Sequence, residues 1–267
     1  MDFLEQMAER SRERAVAAKR LCPPAQLLER VAACAAPATL RLSPAGFDVI
    51  AEVKLRSPAV GVLESRDDKI EMRVACYAEA GAAAVSVLTE PSRFDGSLEH
   101  LQSAAAQLAP FGVPAMRKDF LVDPYQLAEA RVAGAGGVLL ILRMLARSEL
   151  ETLLETARQL SLFVLLEAFD EADIALAHEL VVGRSAVLVG VNCRDLASLQ
   201  VVPGKLAQLA PLLPRSVPRV AESGIATAHD ARMAAQAGYT CALIGSALMQ
   251  APDPALLLRE MLVAARS

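Results

Sequence analysis

Residues 162–191 read LFVLLEAFDEADIALAHELVVGRSAVLVGV, and the period of the pattern changes twice along this stretch. Leu162–Leu166 is a short run that is apolar on both faces, as a parallel strand covered by helices must be. The next segment, near 171–182, spaces its Ala, Ile and Leu residues helically among acids, and Val187–Val191 then returns to a doubly apolar run. Strand, helix and strand make one βαβ unit.

Working outward, the unit recurs in both directions. Further strands are expected at Asp48–Val53, Ala84–Leu88, Val113–Met116, Gly137–Leu142, Arg219–Ala221 and Cys241–Ile244. Helical patterns lie near 67–80, 97–108, 124–134, 147–160, 203–211, 227–237 and 253–265. Gly81 and Gly238 supply C-terminal glycines, and Asp123-Pro124 and Asp253-Pro254 place an N-cap before a first-turn proline. Eight such pairs fit a closed (β/α)8 TIM barrel of the α/β class better than an open doubly wound sheet, which usually has about five or six strands. The dinucleotide fingerprint is missing, since Gly134-Ala135-Gly136-Gly137 precedes a strand instead of following one. Residues 1–46 stand outside the rhythm and read as two helices, about 2–20 and 24–35, split at Cys22-Pro23-Pro24. The expected organisation is a helical extension over 1–46 packed on a barrel domain over 47–267.

Composition narrows the function. The chain has 267 residues, is 54% hydrophobic and carries a formal net charge of −4. This balance gives no electrostatic reason to bind nucleic acid or an anionic membrane. The longest apolar run, between Arg131 and Arg143, is too short to span a bilayer. The N-terminus shows no basic region followed by an apolar one, so no secretory signal is read there. Five cysteines without a CxxC pair argue against a disulfide framework or zinc site, and the three histidines lack metal-ligand spacing. The expectation is a cytoplasmic protein, monomeric or weakly homo-oligomeric, with no metal or cofactor and a small phosphorylated molecule as its partner.

In such a barrel the active site lies where the strands end. Here the ends are Glu52-Val53-Lys54, Arg117-Lys118-Asp119, Glu167, Asn192-Cys193-Arg194, Glu222-Ser223-Gly224 and Gly245-Ser246. Alternation along the first strand puts Glu52 and Lys54 on one side. Of 27 basic residues only five are lysines, and two of them, Lys54 and Lys118, sit at strand ends. Lysine can trade its proton where arginine cannot, which points to proton transfer. Asn192 is the only asparagine in the chain and also ends a strand. Ser223-Gly224 and Gly245-Ser246 fall at the seventh and eighth βα turns, where many barrels bind phosphate.

These residues resemble, in order and along nearly the whole chain, those of the indole-3-glycerol phosphate synthase family. The resemblance is carried by Ile50-Ala51-Glu52-Val53-Lys54 with Ser57-Pro58, by Ser86-Val87-Leu88-Thr89-Glu90 with Phe94-Asp95-Gly96-Ser97, and by Arg117-Lys118-Asp119-Phe120-Leu121-Val122-Asp123-Pro124-Tyr125-Gln126. Gly190-Val191-Asn192, Arg194-Asp195-Leu196 and Ala221-Glu222-Ser223-Gly224-Ile225 complete it. The N-terminal helical extension is also a feature of the family. The resemblance implies ring closure, decarboxylation and dehydration of 1-(2-carboxyphenylamino)-1-deoxyribulose 5-phosphate without a cofactor. Lys118 then matches the general acid and Glu167 the general base of the dehydration. Lys54 matches a substrate-contacting lysine and candidate second acid, while Glu52, Asn192 and Glu222 match orienting groups. Ser57, Arg194 and Phe120 match substrate-binding positions, and Ser223, Gly224, Gly245 and Ser246 the phosphate turns. The chain departs from the family at Ala59-Val60, at Ala168-Phe169, where an aliphatic and a polar residue are commoner, and at Cys193. A Schiff-base aldolase and a non-catalytic phosphate-binding barrel are the competing readings. A sister isomerase with the same fold needs a cysteine and an aspartate where Lys54 and Asn192 stand.

Overall fold

A computed structural model describes residues 3–57, 61–62, 69–195 and 198–267. Its centre is a closed barrel of eight parallel strands. Numbered in chain order, these are β1 (Asp48–Val53), β2 (Ala84–Leu88), β3 (Ala115–Lys118), β4 (Gly137–Ile141), β5 (Phe163–Ala168), β6 (Val187–Asn192), β7 (Arg219–Glu222) and β8 (Cys241–Ile244). Each pairs with the next, and β1 closes on β8 through Asp48–Cys241 to Ala51–Ile244. Helices flank it: α1 (Phe3–Leu21), α2 (Pro24–Ala33), α3 (Ile70–Glu79), α4 (Leu98–Leu108), α5 (Pro124–Val132), α6 (Arg147–Gln159), α7 (Glu171–Leu180), α8 (Lys205–Leu209), α9 (Ala228–Ala237) and α10 (Pro254–Arg266). Shorter pieces are a hairpin of Arg56–Ser57 with Gly61–Val62 and the one-turn helices Pro91–Phe94 and Ser246–Gln250.

The expected strands all occur, three of them with the expected ends and the others with shifted ones. β3 begins at Ala115 instead of Val113 and runs on through Arg117 and Lys118, which pair with Val87 and Leu88. β5 likewise includes Glu167, paired with Gly190. A charged residue looks like the end of an apolar run, but the barrel mouth keeps its ladder intact while turning Lys118 and Glu167 inward. The pattern near 203–211 is also split, since helix α8 gives way to a tighter 3-10 turn at Ala210–Leu212.

Two cores follow from the two faces of the strands. Val49, Ala51, Val85, Val138, Leu140, Val164, Leu166, Val189 and Ala242 point outward and bury against the helices. Ile50, Ala84, Met116, Leu139, Leu165, Leu188, Val220 and Leu243 point inward and fill the barrel. On that inward parity the next positions up are Glu52, Lys118, Glu167 and Glu222, and on β6 Asn192 follows above Gly190. The site residues are therefore the top layer of the barrel filling, set on a packed apolar floor.

α1 lies against the mouth and is fastened by polar contacts to the loops after β2 and β3. Arg14 reaches Asp119 at 2.6 Å and Glu90 at 3.4 Å, both carboxylates being buried. Gln126 donates to Ser11 Oγ at 2.8 Å, and Lys19 pairs with Asp123 at 2.5 Å. Asp119 also accepts from Thr89 Oγ1 (2.7 Å) and the Phe120 amide (2.8 Å). Arg117 binds Thr89 Oγ1, Asp119 and the Gln126 carbonyl from the outer face of β3. Arg117 and Asp119, expected at a functional strand end, thus belong to the scaffold and only Lys118 between them faces the interior. Among the described residues no helix is long and apolar enough to cross a membrane.

Arg14→Ala leaves Asp119 with Arg117 as its ion-pair partner and strips Glu90 of one. The expected loss is about 1–3 kcal/mol, read as a lower urea midpoint, while the exposed Arg20→Ala moves it little.

Candidate functional site

A cavity of about 500 Å³ opens at the C-terminal end of the barrel. The strand tops bring Glu52, Lys54, Lys118, Glu167, Asn192 and Glu222 to its floor, with Arg194 beside them. Ser223, Gly224, Gly245 and Ser246 line one side, whereas Phe3, Leu4, Phe94, Phe120, Ile141 and Phe169 supply apolar wall. Every expected site residue with a described side chain reaches this one cavity. Ser57 sits in the hairpin with its backbone opposite Gly61, but its side chain lies outside the described residues, as do Ala59 and Val60.

Alternation along β1 does bring Glu52 and Lys54 together, with Lys54 Nζ donating to Glu52 Oε1 at 2.7 Å. Burial pushes the Glu52 carboxyl up, but Lys54, Lys118 and Arg194 more than offset it and hold the group below its ordinary range. Lys118 Nζ stands 3.9 Å from Glu167 Oε2. Burial favours a neutral amine there, yet the field of Glu167, Glu52 and Glu222 wins and raises the proton affinity of Lys118 above that of a free lysine.

Asn192 organises the opposite side. Its Nδ2 donates to Glu167 Oε1 at 2.5 Å, and its Oδ1 accepts from the Arg194 amide at 3.0 Å and from Ser223 Oγ at 2.9 Å. Ser223 reaches it from the left-handed region, at φ 67°, and Gly224 follows at φ 73°. Ser223 thus joins the seventh βα turn to Glu167, a connection that its place in a phosphate-type turn did not announce. The Arg194 guanidinium is anchored on the Leu199 carbonyl at 2.6 Å.

Glycines within β6 and just after β8 clear the space. A Cβ on Gly190 would fall 2.1 Å from Glu222 Oε1, and one on Gly245 would fall 2.3 Å from Glu52 Oε1. Glu222 itself is 1% exposed and neither carboxylate oxygen has a protein hydrogen-bond partner. Burial, with Glu167 and Glu52 nearby, raises its proton affinity well above the usual carboxylate range despite Lys118. The floor therefore holds a Glu52 biased towards its ionised form, a Lys118 biased towards its protonated form and a Glu222 carboxyl of raised proton affinity, an arrangement able to give and take protons around one substrate carbon. Among the described residues no group of three or more His, Cys, Asp or Glu is arranged to hold a metal ion.

Apart from Phe120, the apolar wall was the part missed from sequence. Phe3 and Leu4 stand far from any strand end, and no pattern in the extension marks them. Phe169 carried a signal, since Leu165, Glu167 and Phe169 share one parity and the third must reach the same mouth. Ala168 and Cys193, two of the departures, are buried.

The proton that Glu222 holds when folded is released by the unfolded chain above its normal carboxylate range. Stability is lost as pH rises through that window, and Glu222→Gln removes the dependence. The variant should melt above the parent near about pH 8, with the difference fading towards about pH 5; a pH series of thermal melts checks it.

Solved structures with the same architecture include 3-hexulose-6-phosphate synthase from Salmonella typhimurium, at TM-score 0.62 and 13% identity over 82% of this chain and 98% of that one. Orotidine 5'-phosphate decarboxylase from Pyrococcus horikoshii is another, at TM-score 0.59 and 12% identity, covering 82% and 99%. At such identities the likeness is one of fold alone. The family described as indole-3-glycerol phosphate synthase matches residues 4–261. The indole-3-glycerol phosphate synthase of a Nocardioides strain is 43% identical over 217 residues, 81% of this chain and 80% of its own. That of Mycolicibacterium vanbaalenii is 42% identical over 229 residues, covering 85% and 80%. With the family's pattern running through all eight strands, the chain belongs to the indole-3-glycerol phosphate synthase family.

Proposed function

We propose that the chain converts 1-(2-carboxyphenylamino)-1-deoxyribulose 5-phosphate to indole-3-glycerol phosphate, carbon dioxide and water, as a carboxy-lyase of tryptophan biosynthesis. The observation that carries this is the convergence of Lys118 and Glu167 on the floor of one cavity, with small-residue turns at one side and aromatic wall at another. An aryl amine joined to a sugar phosphate needs those surroundings in that combination.

In this reading Lys118 gives its proton to the ketone oxygen as the carboxyl-bearing ring carbon attacks, so that a C–C bond forms and the carbonyl becomes a hydroxyl. Carbon dioxide leaves with its bonding pair returned to the ring system. Lys54 then protonates the departing hydroxyl, and Glu167 takes the proton whose loss makes the indole aromatic. Glu52 orients Lys54 through their ion pair, Asn192 fixes Glu167, and Glu222 completes the orienting set. Arg194 and Ser57 meet anionic groups of the substrate, Phe120 meets its ring, and the amides of Gly224, Gly245 and Ser246, with Ser223, take the phosphate. The aldolase reading is disfavoured by the ion pairing of Lys118, because a Schiff base needs the free amine. Division into an extension over 1–46 and a barrel over 47–267, a cytoplasmic setting with five free thiols, and a monomeric or weakly associating state complete the proposal.

Incubation with the carboxyphenylamino substrate should produce indole fluorescence, and folded protein that yields none overturns the proposal. Lys118→Ala and Glu167→Gln should each lower kcat by about two to four orders of magnitude. Borohydride with a ketose phosphate should leave no adduct on Lys118 or Lys54.

A further inference from the structure

Two side chains of α3 hold the eighth βα turn from the side away from the cavity. Gly245 and Ser246 line the cavity together with Ala247 and Gln250, whereas Leu248 and Met249 are buried away from it. Arg73 Nη1 donates to the Leu248 carbonyl at 3.2 Å, and the Tyr77 hydroxyl donates to Met249 Sδ at 3.7 Å. Arg73 and Tyr77 are one helical turn apart and so share a face of α3, where Arg73 also reaches the Tyr77 hydroxyl. Tyr77 is fully buried, so water cannot replace its contact with Met249.

The turn needs such outside support. Its helix, Ser246–Gln250, is a single turn, and forming a first turn fixes several dihedral angles for one backbone bond, here from the Met249 amide to the Gly245 carbonyl at 2.9 Å. Leu248 lies just beyond Ser246, so the guanidinium on its carbonyl also sets a positive charge within about 10 Å of the turn, a range over which a phosphate feels it. We infer that Arg73 is a positioning residue for phosphate recognition, holding the Gly245–Ser246 turn where its amides meet the phosphate of the substrate, with Tyr77 as its support. This rests on the reaction proposed above. Arg73 is not one of the residues lining the cavity, so it acts from behind the turn instead of by touching substrate.

The test uses an unreactive substrate analogue whose ketone is reduced to the alcohol, prepared with and without its 5-phosphate, and reads the ratio of the two Kd values. Arg73→Met keeps an unbranched side chain while removing the charge and the bond to Leu248. It should weaken the phosphorylated analogue about threefold to tenfold and leave the dephosphorylated one unchanged. In turnover it should raise KM and hold kcat within about twofold of the parent. Arg73→Lys, which returns the charge and a donor, should recover most of the preference for phosphate. Equal weakening of both analogues, an unchanged ratio in Arg73→Met, or an equal loss in Arg73→Lys overturns the inference. If Arg73→Met fails to fold, Tyr77→Phe, which deletes only the hydroxyl, decides by the same ratio. Failure of the reaction itself reads differently, because the parent then neither turns over substrate nor favours the phosphorylated analogue.

Discussion

Everything at the mouth of this barrel depends on burying several charges on top of an apolar floor. An isolated carboxylate or ammonium there is costly, by several kcal/mol even after relaxation. The cost is met by mutual arrangement. Lys54 sits on Glu52, Lys118 faces Glu167, and Asn192 ties Glu167 in place. Glu222, which has no protein partner of its own, escapes the cost by retaining its proton. Removing Lys54 takes from Glu52 its ion-pair partner, and removing Asn192 takes from Glu167 its hydrogen bond.

Outside the mouth a second set of buried polar groups does a different job. Arg117, Asp119, Thr89 and Gln126 bind one another and receive Ser11 and Arg14 from α1. The outcome for the cavity is direct, because docking α1 brings Phe3 against Phe120, with ring centres 5.8 Å apart. Phe94 approaches the same ring at 6.3 Å. The extension thus adds apolar wall to that of Ile141 at the end of β4, because Glu52, Lys118, Glu167, Asn192 and Glu222 occupy other upper inward positions.

The fold was legible because doubly apolar strands and amphipathic helices differ in period, and eight repetitions leave one economical closure. The polar floor was legible because Glu52, Lys54, Lys118, Glu167, Asn192 and Glu222 interrupt apolar runs at equivalent places. What stayed hidden depends on contacts distant in sequence. Nothing near Phe3 announces that it meets Phe120, and nothing near Ser223 shows that its hydroxyl turns to Asn192. The strand ends misled for the opposite reason: Arg117 and Asp119 have the residue types expected of a site, but their parity sends them away from it.

That parity also explains why the site can be stiff without bonds of its own to the scaffold. Lys118 lies between Arg117 and Asp119, whose outward side chains are tied to β2, α5 and α1. The Thr89 amide donates to the Lys118 carbonyl at 3.0 Å, fixing the backbone from the neighbouring loop. A lysine side chain has several rotatable bonds, so fixing its base removes part of the freedom it would otherwise lose on meeting substrate. The same logic holds at β5, where Glu167 points inward while Ala168 buries against the helices and Phe169 is fastened through Asp173. Alternation thus assigns neighbouring residues opposite tasks, and the network on the helix side holds the proposed acid and base at the angle from which they face one another.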